Sequence, residues 1–148
     1  MDVKNKRVIV TGAASGIGKA LCEAFHQAEA KSVIAVDINL DGAQETADSV
    51  DGIAVKANVG NEKDIINLID KANEHVGGID IFCSNAGIGG VPGFFEVEAS
   101  DWQNIWDVNV QSHIFAAKHV LPQMIERGEG YLVNTSSAAG LLTQLGAA

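Results

Sequence analysis

Two hydroxyls in succession, Ser136 and Ser137, follow the apolar run Tyr131-Leu132-Val133 through Asn134 and Thr135. Hydroxyls at the end of a buried strand can orient a substrate oxygen, or they can close a local turn on their own backbone. A second cluster stands near the N-terminus, where Val8-Ile9-Val10 runs into Thr11, Gly12, Ala13, Ala14, Ser15, Gly16, Ile17 and Gly18. A loop so poor in Cβ atoms lets backbone N–H groups approach a pyrophosphate, and the start of the next helix adds partial positive charge. The same glycines would also serve a tight strand-to-helix turn that needs positive φ. The next apolar run ends at Asp37, nineteen residues past Gly18. A carboxylate there suits the two hydroxyls of an adenosine ribose and repels a 2′-phosphate. Its other reading is an acid capping the helix that starts near Leu40.

These residues need a frame. The runs Val8–Val10, Val33–Val36, Ile53–Val55, Ile79–Phe82 and Tyr131–Val133 lack the alternating polar face of a half-exposed strand. They read as parallel strands covered on both sides. Between them lie helical stretches at Ile17–Ala28, Leu40–Ser49, Glu62–Val76 and one long segment from Asp101 to Arg127. Ile65, Leu68, Ile69 and Ala72 recur at three- and four-residue spacings, and Ser100 and Gly128 read as the start and stop of the long helix. This alternation predicts one α/β domain over residues 1–148, with a doubly wound parallel sheet of Rossmann type, incomplete on its C-terminal side. The glycine-rich stretch 87–100 follows the fourth strand and borders the expected ligand crevice.

The loop is neither Gly-x-Gly-x-x-Gly nor a P-loop. Its pattern Thr-Gly-x-x-x-Gly-Ile-Gly resembles the cofactor loop of the short-chain dehydrogenase/reductase family, and the likeness extends over essentially all 148 residues. The resemblance implies NAD as cofactor, because neither Ser15 nor Ile38 supplies the basic partner found in NADP-preferring members. It implies that Gly12, Ser15, Gly16, Ile17 and Gly18 hold the pyrophosphate and Asp37 the ribose. Asn58-Val59 stands where the family commonly has Asp-Val; Asn58 still offers a donor and an acceptor to adenine, while a strand-end turn explains it as well. Asn85-Ala86-Gly87 matches a motif beside the nicotinamide ribose, with Asn85 tying neighbouring strands together.

By the same resemblance Asn109 helps hold a proton-relay water, and Ser137 is the serine that orients the substrate oxygen. An exposed or locally bonded Asn109 and a strand-end turn, at Ser136 more than at Ser137, are the plain alternatives. About a dozen residues past Ser137 the family places Tyr-x-x-x-Lys, whose Lys lowers the pKa of the acid/base Tyr. The one tyrosine here is Tyr131, with Thr135 four residues on. The expectation is therefore a segment of a longer NAD-dependent oxidoreductase acting on a carbonyl or secondary alcohol, inactive as these 148 residues alone. The alternative is a dinucleotide-binding module without turnover.

The net charge of −9 argues against nucleic acid or an anionic membrane as partner. No apolar run reaches the length of a membrane span, and the N-terminus does not read as a signal peptide. Cys22 and Cys83 read as buried thiols of a reducing, cytoplasmic setting, with a disulfide as the other possibility. His26, His75, His113 and His119 are scattered and make no metal cluster, so no metal is expected. Ile105, Trp106, Val110, Ile114, Phe115, Val120 and Leu121 exceed what one inward helix face requires, which points to a homodimer or homotetramer of the full-length protein.

Overall fold

The computed structural model describes residues 2–89 and 96–141. Five strands form one sheet: β1 (Arg7–Thr11), β2 (Ser32–Asp37), β3 (Ile53–Lys56), β4 (Ile81–Ser84) and β5 (Tyr131–Asn134). Their spatial order is β3-β2-β1-β4-β5, and every neighbouring pair is parallel. The chain steps from β1 to β2 on one side and returns to β4 on the other, so the order reverses between β1 and β4. Ligand crevices of doubly wound sheets open at such a point.

Successive strand residues point to opposite faces. Ile9, Ile34, Val36 and Phe82 face α3 (Glu62–Val76) and α5 (Ser112–Arg127), where Ile65, Leu68, Ile69, Ala72, Val120 and Met124 complete one core. Val8, Val10, Val33, Ala35, Ile81 and Cys83 face α1 (Gly16–Gln27) and α2 (Leu40–Ser49), where Cys22 and Ala47 close the other. Two-sided burial is why these strands lack a polar face in the sequence. Both cysteines are free thiols in this second core, and burial pushes each up to about 12. Neither is a thiolate at neutral pH.

The end of the sheet away from the crevice is fastened by charge. Arg7 donates to Asp80 from its backbone N at 2.9 Å, from Nε at 2.7 Å and from Nη2 at 2.6 Å. Arg127 adds a second guanidinium 3.6 Å from the same carboxylate. These hydrogen bonds and charges hold the Asp80 carboxyl below the usual carboxylate range, although burial opposes them. Ile79 and Asp80, expected in the fourth strand, precede it as this junction.

The long C-terminal helix departs from its expected form. It begins at Ala99, not after Ser100, and Glu98 stands at the N-cap, its N–H donating to Asp101 Oδ2 at 3.0 Å. After α4 (Ala99–Trp106) the chain widens into a π turn, Asp107–Gln111, before α5. The Ser112 hydroxyl takes the Val108 carbonyl at 2.7 Å, and Asp107 Oδ1 accepts from both Gln103 and Gln111. The Ser112 hydroxyl thus shares a carbonyl that would otherwise serve a regular helix alone. Gly128 does end α5, in the left-handed conformation at φ 70°. Of the surplus apolar positions, Val120 is buried, Phe115 packs against the core, Ile105 and Val110 are half-buried, and Trp106, Ile114 and Leu121 are exposed, as are Trp102 and Ile125 beside them. Among the described residues no helix is long and apolar enough to cross a membrane.

Candidate functional site

The glycine loop leaves β1 at the switch point. Gly12 turns at φ +70°, and a Cβ there would lie 2.9 Å from the Ala86 Cα. A Cβ on Gly18 would lie 2.0 Å from the Gly12 carbonyl oxygen, so α1 starts this close to the loop only because position 18 has no side chain. Ser15 precedes α1 in extended conformation and its side chain makes no cap hydrogen bond. Gly16 (φ +54°) and Ile17 follow, exposed, with no acidic side chain in the first turn. The first N–H groups of a helix have no intrahelical acceptor. Here the turn that carries them, Ser15 to Ile17, is exposed beside the crevice, and helix N-termini of this kind can receive an anion.

Asp37, at the end of β2, secures this loop. Its Oδ2 accepts from Ala14 N at 3.0 Å and its Oδ1 from Asn39 N at 2.9 Å. The N-cap of α2 is Asn39, whose Oδ1 accepts from Gly42 N. Asp37 therefore does not cap the helix. Each carboxylate oxygen keeps a further lone pair for a ligand hydroxyl. Asn58 follows β3 and makes a strand-end turn, its Oδ1 accepting from Gly60 N at 3.0 Å, while its Nδ2 has no partner among the described residues. Val59 is buried against the core.

Asn85 links three strands. Its N and that of Ala86 both donate to the buried Thr11 Oγ1, at 2.9 and 3.1 Å, and Thr11 donates on to the Cys83 carbonyl. Asn85 Nδ2 donates to Thr11 O and its Oδ1 accepts from Thr135 Oγ1, both at 3.0 Å. The carboxyl ends of β1, β4 and β5 are thereby locked together.

Asn109 lies in the π turn, and its amide pairs with one backbone unit. Nδ2 donates to Ile88 O and Oδ1 accepts from Ile88 N, both at 2.9 Å. This pairing is not local: it joins the π turn to the loop after β4, twenty-one residues earlier in the chain. Ser137 is exposed, and its Oγ accepts from Ala139 N at 3.1 Å. The strand-end turn falls on Ser137, not on its neighbour Ser136 as the sequence favoured, because the chain enters a short 3-10 turn, Ala138–Gly140, directly after it. That bond leaves the hydroxyl hydrogen free to donate to a ligand.

Two clefts run along this edge. One of about 260 Å³ is lined by Gly12, Asp37, Ile38, Asn58, Val59, Ala86 and Gly87 among others. The other, of about 700 Å³, is lined by Asn85, Ala86, Gly87, Asn109, His113, Asn134 and Ser137 among others. Ala86, Gly87 and Ile88 belong to both walls, so the clefts meet at the end of β4. Ser15, Gly16, Ile17 and Gly18 stand outside both walls, at the start of α1.

This combination of a glycine loop, a loop-bound Asp37 and an Asn-Ala-Gly strand end has counterparts. Residues 6–148 match the family described as short chain dehydrogenase. The chain belongs to the short-chain dehydrogenase family. It is 35% identical over 143 residues to glucose 1-dehydrogenase 2 of Bacillus subtilis (strain 168), covering 92% of this chain and 55% of that protein. It is 33% identical over 156 residues to 1-deoxy-11-beta-hydroxypentalenate dehydrogenase of Streptomyces exfoliatus, covering 100% of this chain and 56% of that protein. A short-chain dehydrogenase/reductase from Burkholderia phymatum, solved in complex with NAD, superposes with a TM-score of 0.93 at 28% identity, over 99% of this chain and 54% of that one. The chain thus spans about half the length of the relatives it matches.

The sequence set all four histidines aside, yet His113 lines the larger cleft. Its Nδ1 lies 3.1 Å from Asn134 Oδ1, joining α5 to β5. The available signal was its place four residues after Asn109, one helical turn along. His119 instead meets Glu62 at 2.8 Å, and His26 and His75 are exposed. Tyr131 pairs with Ile81 at the start of β5, at the opposite end of that strand from Ser137.

Proposed function

We propose that the protein is an NAD-dependent oxidoreductase that moves a hydride between nicotinamide and a carbonyl or secondary alcohol. The observation that carries this reading is the cradle itself. Gly12 and Gly18 stand where a Cβ would collide with the loop or the β4 end, and Asp37 faces the smaller cleft with lone pairs to spare. In this reading Gly12, Ser15, Gly16, Ile17 and Gly18 hold the pyrophosphate, Asp37 the ribose, Asn58 and Val59 the adenine, and Asn85, Ala86 and Gly87 the nicotinamide side. When bound, the dinucleotide supplies the hydride chemistry. The chain's own part is orientation: Ser137 donates its hydroxyl hydrogen to the substrate oxygen, and Asn109 steadies the cleft wall at Ile88. The NAD complex of the Burkholderia phymatum neighbour supports the choice of cofactor family.

The preference for NAD over NADP rests on Asp37, whose carboxylate would face a 2′-phosphate with Ile38 as its uncharged neighbour. Titration of the full-length protein with both cofactors tests it, and equal affinities refute it. Asp37→Ala combined with Ile38→Arg narrows or inverts the preference, by about tenfold or more. A second reading, a dinucleotide module without turnover, draws on the position of Tyr131 at the far end of β5. Tight NAD binding by the full-length protein, without turnover on any carbonyl or alcohol panel, would favour it. We further read the exposed apolar stripe on α4 and α5 as the seat of a homodimer or homotetramer. The two free thiols accord with a cytoplasmic setting, which cell fractionation tests.

A further inference from the structure

We infer that Thr46 is a positioning residue of the cofactor site. It lies on α2, is fully buried, and belongs to none of the motifs of the site. Its Oγ1 donates to the Ala13 carbonyl at 2.8 Å, with the Gly42 carbonyl farther off at 3.2 Å. Ala13 O and Ala14 N belong to one planar peptide unit, so they point in opposite directions. Thr46 holds the carbonyl end of that plane, and Asp37 Oδ2 holds the N–H end at 3.0 Å. The plane cannot rotate without breaking one of the two bonds. Thr46 therefore fixes both the path of the glycine loop toward Gly16 and the rotamer of Asp37.

Two neighbouring contacts show how closely α2 is fitted to the loop. The Ala13 N–H donates to the Val36 carbonyl at 3.0 Å, which ties the loop to β2. A Cβ built on Gly42 would lie 2.8 Å from the Ala14 Cβ, so the first turn of α2 lies directly against the loop. A regular helix residue needs none of this. A Val at position 46 would have the same shape and leave the Ala13 carbonyl buried without a donor.

The inference rests on the dinucleotide reading, and its test separates the two. In the full-length protein, Thr46→Val removes the hydroxyl at constant volume, while Thr46→Ser keeps it and deletes a buried methyl. Both lower the melting temperature, by different routes. The dissociation constant for NAD follows the hydroxyl alone: it rises about tenfold in Thr46→Val and stays within about twofold of the parent in Thr46→Ser. If Thr46→Val does not fold, Thr46→Ala against Thr46→Ser gives the same comparison. Equal affinities in the variants with and without the hydroxyl, or affinities that scale with melting temperature, overturn the role of Thr46 and leave the dinucleotide reading intact. A parent protein that binds neither NAD nor NADP overturns both.

Discussion

Replacing Gly18 by Ala isolates the closest backbone approach in the site. The added Cβ would meet Gly12 O at 2.0 Å, Gly12 C at 2.6 Å and Asn85 Nδ2 at 2.9 Å. Carbon atoms pack at about 3.5 Å or more, so α1 has to withdraw from the loop by about an ångström. Two of the three obstructing atoms are backbone, and the third belongs to the residue that ties β1 to β5. None swings aside as a flexible side chain would. Overpacking of this kind costs about 3 kcal/mol. The better helix propensity of Ala offsets about 1 kcal/mol of that, leaving a loss of about 2 kcal/mol. For a domain of this size that lowers the melting temperature by about 4 to 8 °C. The matched control is Gly140→Ala, where an added Cβ meets nothing within 4 Å; it should melt within about 1 °C of the parent. Calorimetry or circular dichroism on the full-length protein reads both variants. NAD affinity in Gly18→Ala should fall about tenfold, because the helix N–H groups move with α1. A Gly18→Ala variant that melts and binds like Gly140→Ala would refute the steric argument.

Asp80→Asn should cost about 2 to 3 kcal/mol by removing the carboxylate that two guanidiniums share. Because Asp80 titrates below its ordinary value when folded, its contribution is present above the usual carboxylate range and lost as pH falls through the folded value. The stability of Asp80→Asn, followed by denaturant titration from neutral to acid pH, should fall less steeply than the parent's. Trp106→Glu or Ile114→Glu, on the exposed stripe, should shift the full-length protein toward monomer in ultracentrifugation with little change in melting temperature. A parent that is already monomeric at micromolar concentration would count against the stripe as an interface.

The fold was legible because its strands are buried on two sides. An apolar run such as Val33–Val36 needs no tertiary knowledge to be read as a central parallel strand, and the amphipathic spacing of α3 reads the same way. The tight strand-to-helix turn at Gly12 and Gly18 was legible for a related reason: close backbone approach restricts residue type. The groups that were missed are bound by partners distant in sequence. Nothing near Thr46 signals that its hydroxyl serves Ala13, thirty-three positions earlier. The π turn at Asp107–Gln111 leaves no hydrophobic period of its own, and the Ser112 hydroxyl that takes the Val108 carbonyl there is a side-chain event. His113 enters the cleft because Asn134, on another element, receives it.

Asn109 shows how the observed bonds change a mechanistic expectation. A residue whose task is to hold a relay water should have a polar end to spare, yet both ends of this amide are engaged with the backbone of Ile88. Ile88 directly follows Asn85-Ala86-Gly87 and belongs to the walls of both clefts. A Cβ on Gly87 would come within 3.2 Å of Asn109 Oδ1, so the amide also lies against the residue nearest the proposed nicotinamide side. Its first effect is therefore on the shape of that wall, and only the second lone pair and second amide hydrogen remain for water. The two roles separate in the full-length protein. A water-holding residue alone would lower kcat on Asn109→Ala and leave NAD affinity unchanged. The paired amide predicts that NAD affinity falls as well, by about threefold to tenfold, with the loss of two hydrogen bonds at the wall. Asn109→Asp should do no better than Ala, because a carboxylate keeps the acceptor for Ile88 N and opposes the Ile88 carbonyl. A variant with reduced kcat and parental NAD affinity would return Asn109 to the relay role alone.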